Sequence, residues 1–156
     1  MNEIEERAHQ AWESGRLKVA FDLFSKCAEL GSKGCMLDLG YFYDEGLGTA
    51  VDKQQAMWWY KKAYRLGCGA SASNIAILYR EQGKLRYSAQ WFQRSALLGD
   101  GDSEVELAKL YISGRGVRKS LTAAKKYLKR ALRSSSITPA GAEEAEELLA
   151  KVQSGF

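Results

Sequence analysis

Four alanines divide this chain into nearly equal lengths. Ala20, Ala56, Ala89 and Ala124 stand 36, 33 and 35 residues apart, and each precedes by seven residues a second small side chain: Cys27, Ala63, Ala96 and Ala131. Leu23, Trp59, Phe92 and Tyr127 follow the same alanines by three. In a helix, residues seven apart share one face two turns along, with the large apolar group beside them. Such a face admits a neighbouring helix at close range. A period near ~34 residues is the length of two helices and their turns, so the chain is constrained to stacked helical pairs.

A second signature lies upstream of each of these helices. Leu39-Gly40 with Tyr43 recurs as Leu107-Ala108 with Tyr111 and, more loosely, as Ile75-Ala76 with Tyr79; the stretch around Ala8 is the most divergent. Gly46 and Gly48 return 68 residues later as Gly114 and Gly116, two periods on. A phosphate loop has no reason to recur in register with a packing pattern, whereas a turn that needs positive φ does. "GRGVRKS" at 114–120 ends like a phosphate loop, but Arg118 stands where the glycine before the lysine is required, and no strand pattern precedes it.

Residues 39–67 resemble the Sel1-like repeat at Leu39, Gly40, Tyr43, Gly46, Gly48, Asp52, Ala56, Trp59, Tyr60, Lys62, Ala63 and Gly67. They depart from it at Thr49 and Gln55. Residues 107–131 match in part, through Leu107, Tyr111, Gly114, Gly116, Val117, Ala124 and Ala131. The other two units have shorter turns, Gly15-Arg16-Leu17 and Gly83-Lys84-Leu85, and are similar to the related tetratricopeptide repeat. The resemblance implies an all-α, right-handed α-solenoid of four antiparallel helix pairs. Repeats are expected at about 4–31, 35–67, 71–99 and 103–133, within a single repeat domain spanning 1–156. The stretch from Thr138 reads as a capping helix over 138–152, with Thr138 as N-cap, Pro139 in the first turn, and Ala142, Ala145, Leu149 and Val152 on one face.

The net charge of +4 is too small to imply nucleic acid unless it is concentrated on one face. No apolar run reaches transmembrane length and the start has no signal-peptide stretch, so the expected compartment is cytoplasmic, with no membrane association. Three cysteines are too few for a disulfide framework and lack metal-site spacing. Cys27 and Cys35 occupy positions where the repeat wants small residues and are read as reduced thiols. The resemblance adds that some secreted relatives bridge neighbouring helices at this spacing. Cys68 lies in a turn between hairpins. His9 is the one histidine, with no nucleophile placed beside it by spacing, and adjacent acids such as Asp44 and Glu45 are read as solvated. No catalysis, metal or cofactor is expected.

The sequence reading therefore expects a binding module. First helices of stacked pairs line a concave side, and periodicity about Ala8, Gly40, Ala76 and Ala108 places twelve residues there. They are Glu5, His9 and Trp12; Leu37, Tyr41 and Asp44; Ser73, Ile77 and Arg80; Val105, Lys109 and Ile112. Trp12, Tyr41, Ile77 and Ile112 are apolar anchors, with Glu5, Glu13, Asp44 and Glu45 toward one end and Arg80 and Lys109 toward the other. The expected partner is a peptide or helical segment of another protein, and the expected role is adaptor or scaffold. The alternative is nucleic acid or an acidic partner on a basic stripe at 115–133, since residues 109–133 hold nine lysines and arginines and no acid. A solvated outer face, partly neutralised by the nearby Glu143, Glu144, Glu146 and Glu147, is the favoured reading of that stripe, because no aromatic residues interleave on it for base stacking, and nucleic acid is not the expected partner.

Overall fold

The computed structural model describes residues 2–155. Among them are nine helices: α1 (Asn2–Glu13), α2 (Leu17–Glu29), α3 (Lys33–Glu45), α4 (Lys53–Arg65), α5 (Ser71–Glu81), α6 (Leu85–Leu97), α7 (Gly101–Ser113), α8 (Leu121–Ala131) and α9 (Pro139–Ser154). These residues form no strand; Asp100 and Ser136 make one isolated bridge. This is the all-α arrangement of four antiparallel hairpins and a terminal helix. None of the described helices is long and apolar enough to cross a membrane.

The chain forms two compact units, Met1–Ser71 and Ala72–Phe156. In the first, α1 to α4 enclose a core of Ala8, Ala20, Phe24, Cys27, Cys35, Met36, Leu39, Phe42 and Ala63, with Trp12 and Trp59 at its margin. In the second, Ala76, Ala89, Phe92, Ala96 and Leu107 join α5, α6 and α7, and Val105, Ala108, Ala124, Leu128 and Ala145 join α7, α8 and α9. The periodic alanines are all buried, as their spacing requires. The large residue that fills the core stands four positions after the alanine in three hairpins: Phe24, Tyr60 and Leu128 are fully buried, while Leu23, Trp59 and Tyr127 remain half-exposed. Only in α6 does the residue three positions on, Phe92, do this. Each such burial contributes about 2–3 kcal/mol.

Helix starts follow local chemistry. Ser32 accepts from the Cys35 N–H at 3.3 Å, Asp52 from Gln54 and Gln55 at 3.0 Å each, and Ser120 from Ala123 at 3.1 Å. Thr138 accepts from Gly141 at 3.1 Å with Pro139 just inside, as expected of the terminal helix. By contrast α2 and α6 follow tight turns and start at Arg16 and Lys84 with no side-chain cap.

The long turns of the second and fourth hairpins do more than bend. Gly48 (φ +66°) lies on the carbonyl of Leu17 at the start of α2, and Gly116 (φ +77°) lies on the carbonyl of Leu85 at the start of α6, each too close for a Cβ. The turn of each even hairpin thus seats on the second helix of the odd hairpin before it.

Cys27 and Cys35 depart from the reduced state expected of them. A disulfide joins them, tying α2 to α3 across the turn between the first two hairpins, with their Cα atoms 5.7 Å apart. The turn that brings two small-residue positions face to face also brings two sulfurs within bonding reach. Cys68 is a free, half-buried thiol.

Candidate functional site

In the first unit, α1 and α3 present an aromatic and acidic surface. Their turns align His9 and Trp12 on α1 with Asp38 and Tyr41 on α3. Trp12 lies 5.8 Å from Tyr41 and 6.3 Å from His9 between ring centroids, while its edge contacts Phe42 at 5.2 Å and Phe24 at 6.0 Å. The core rings thus fix the indole, and Tyr41 remains 39% exposed beside it. His9 Nε2 stands 3.4 Å from Asp38 Oδ2. Burial lifts the Asp38 carboxyl to about 6; the His9 charge opposes this and the Glu5 charge adds to it. Asp38 was not among the sequence candidates, because its partner His9 sits in another hairpin and no periodicity connects them.

Glu5 and Asp44 hold structure. Ser32 donates its hydroxyl to Glu5 Oε2 at 3.2 Å, and a Cβ at Gly34 would stand 2.8 Å from Oε1. Asp44 accepts from Lys53 Nζ at 2.5 Å and from the Tyr60 hydroxyl at 3.2 Å. Burial, and then Asp44, raise the Tyr60 phenol above its usual range. Leu37 is half-buried. Ligand atoms of Glu5, Cys27 and Cys35 lie within 4.8 Å of one another, but with the two sulfurs bonded together they are not thiolate donors.

In the second unit the sequence candidates separate into two groups. Ser73, Ile77 and Ile112 are half-buried on α5 and α7. Val105, expected on the surface, is 1% exposed and packs in the core beside Leu128 and Ala145, so it supports the hairpin instead of facing a partner. Arg80 and Lys109 do not form an open cationic end. Arg80 Nη1 binds Glu106 Oε2 at 2.6 Å, and Lys109 Nζ binds Glu106 Oε1 at 2.7 Å and Glu144 Oε1 at 3.0 Å. Burial acts to lower the Lys109 pKa, but the bonds it donates to Glu106 and Glu144, together with their charges, outweigh it and raise it. Glu106 carries the neutralising charge and was overlooked in sequence, although its i,i+3 spacing to Lys109 on α7 was readable.

The basic stripe is a real surface. On α8, Ala124, Leu128 and Ala131 face inward while Lys126, Lys129 and Arg130 are exposed, as is Arg133 just beyond. Arg130 Nη2 pairs with Glu104 Oε1 at 2.8 Å, and Glu104 is 3% exposed. Burial raises the Glu104 pKa, Arg130 opposes this and Asp100 adds to it.

The Sel1 repeat family model matches residues 34–68, 83–100 and 101–136, together more than half of the chain. A sel1-like repeat-containing protein of Acanthamoeba polyphaga mimivirus is 32% identical over 75 residues, which are 48% of this chain and 14% of that protein. The chain therefore spans about a seventh of that relative's length. The Sel1 repeat protein of Oxalobacter formigenes superposes with a TM-score of 0.76 at 18% identity, over 92% of this chain and 73% of that one. A protective antigen of uropathogenic Escherichia coli strains, displaying an SLR fold, gives 0.66 at 18% identity over 88% and 41%. At these identities the two structures speak to the fold alone. With its periodic alanines buried, its turn glycines seated and the family model matched over more than half of its length, the chain belongs to the Sel1 repeat family.

Proposed function

We propose that this protein is a non-catalytic adaptor that takes a peptide segment of another protein on the surface of its first helices. Sel1 repeat proteins generally mediate protein–protein interaction, and the family is generally a scaffold without catalysis. In the first unit the supporting observation is the Trp12–Tyr41 pair, an aromatic anchor held rigid by Phe24 and Phe42 and open on the Tyr41 side. Interface energy concentrates in aromatic anchors of this kind. His9 and Asp38 beside it favour a segment with a basic or hydrogen-bond-donating group. In the second unit Ser73, Ile77, Arg80, Lys109 and Ile112 form the corresponding surface, with its charges balanced by Glu106 and Glu144. Glu5, Leu37 and Asp44 complete the first-unit surface as supports.

The reading is tested by selecting a displayed random-peptide library on the native protein and on Tyr41→Ala, an exposed position whose truncation leaves the core intact. Peptides enriched on the native protein and lost on Tyr41→Ala support it. Identical enrichment on both proteins rejects it.

A further inference from the structure

The second helices of the later hairpins differ from the first helices in charge. Between them α6 and α8 carry Arg86, Arg94, Lys125, Lys126, Lys129 and Arg130, and neither contains an Asp or Glu. In the second unit these helices border a cavity of about 190 Å³ lined by Gln93, Ala96, Leu97, Tyr127 and Arg130. Leu97 at its edge is 79% exposed and Leu98 60%. Past Arg130 the surface opens into a second hollow of about 360 Å³, rimmed by Arg133, Ser134 and Ser135. The carboxylate at the floor of that hollow, Glu104, is already bound to Arg130. Lys126, Lys129 and Arg133 are exposed and make no ion pair among the described residues.

This face joins cations that make no ion pair among the described residues to a recess walled by Ala96, Leu97 and the Tyr127 ring, with Gln93 and Arg130 on its polar side and an exposed leucine at its edge; the nearby acids, Glu143, Glu144, Glu146 and Glu147, are on α9. Cations without local partners attract acidic partners and set their orientation, while apolar contact in a recess holds them. A nucleic acid would instead need aromatic faces free to stack on bases. Here the Tyr127 ring stacks on Tyr111 at 5.6 Å and has Arg130 over it at 5.7 Å, and Trp91 has Arg94 over it at 4.3 Å.

We propose that the face between α6 and α8 docks an acidic polypeptide segment bearing an aliphatic side chain, its carboxylates on Lys126, Lys129 and Arg133 and its aliphatic group in the recess beside Leu97. Lys126 and Arg133 are two helical turns apart, about 10 Å, so three or four residues of extended chain span the cations. The site is separate from the first-helix surface and does not depend on it.

The test uses a fluorescein-labelled dodecapeptide of glutamate with leucine at every fourth position, followed by anisotropy at low salt. It is expected to bind about tenfold more tightly than its glutamine-for-glutamate and serine-for-leucine counterparts, and about tenfold more tightly than to Lys126→Glu/Lys129→Glu. Leu97→Ser removes the preference for leucine, while Lys26→Glu on α2 changes nothing. The substituted side chains are exposed, and circular dichroism confirms that each variant keeps its helices. No binding at millimolar peptide, unchanged binding to the charge-reversed variant, or equal binding of oligothymidylate overturns the proposal. Loss of the peptide from Tyr41→Ala but not from the α8 variant also overturns it, and assigns the peptide to the first-helix surface.

Discussion

The backbone of Gly40 lies against the ring of Tyr60 so closely that a Cβ there would stand 2.6 Å from Cδ1 and 2.7 Å from Cε1. From that contact a chain of interactions runs outward through the Tyr60 hydroxyl to Asp44 and on to Lys53, holding α3 to α4 at one end of the first unit. Gly40→Ala gains helix propensity but forces the ring from its seat, and overpacking of this kind outweighs the gain, for a net loss of about 1–2 kcal/mol. Urea denaturation measures it. Substituting Tyr60→Leu in the same chain should recover part of the loss, and a cycle with no coupling between the two positions refutes the account.

The seats of Gly48 on Leu17 and Gly116 on Leu85 make a second prediction. Alanine at either glycine meets both a left-handed backbone and a carbonyl, so each substitution should cost about 2 kcal/mol or more. Gly15, also at positive φ but with open space around it, isolates the backbone component, and Gly15→Ala should cost only about 1 kcal/mol. Thermal melts of the three variants rank them; equal losses at all three positions contradict the seated-turn account.

The fold was legible because packing in stacked hairpins is repetitive: small residues at Ala20, Ala56, Ala89 and Ala124 mark every second helix, and the turn glycines mark the period. Less legible was which large residue fills each core. Positions three and four beyond the alanine both lie near the helix face, and which of them turns inward depends on the partner helix. The candidate surface was readable as a row of positions but not as charges. Arg80, Lys109 and His9 all find carboxylates on neighbouring helices, and such pairings follow from tertiary contact, not from spacing along one chain. Val105 shows the same limit, since α9 covers a position that in an uncapped hairpin would be exposed.

Asp38 gives the protein a pH dependence of stability with a definite sign. Its pKa is raised from 3.8 to about 6 in the folded state, so below about pH 3 the carboxyl is protonated in folded and unfolded chains alike and has no effect. As pH rises through that interval the unfolded chain loses its proton first, and folding carries a growing penalty that is complete above about pH 6. Asp38→Asn should therefore stabilise the protein by about 3 kcal/mol more at pH 8 than at pH 3, the opposing effect of His9 being already contained in the raised pKa. Melting temperatures of the two proteins across about pH 3 to 8 check it. A difference independent of pH would exclude the buried carboxyl as its cause.

The crosslink between Cys27 and Cys35 closes a loop of sequence separation 8, for which unfolded-chain entropy gives a stabilisation of about 2.5 kcal/mol. Alkylation of the unfolded, unreduced protein should label Cys68 alone, and after reduction all three cysteines. Reduction should lower the denaturation midpoint, and Cys27→Ala/Cys35→Ala should sit at that lower midpoint whether or not reductant is present. Three labelled thiols without reductant would show the bond absent from the isolated protein.

The contacts of Gly48 with Leu17 and of Gly116 with Leu85 fall 68 residues apart, one inside each compact unit. Each works as a latch and its catch contributed by different hairpins, so a lone hairpin carries only half of the fitting. An array of this design lengthens or shortens cleanly in steps of two hairpins, because excising a single one strands a latch without its catch. In this chain the unit that these contacts close is the coupled pair of hairpins.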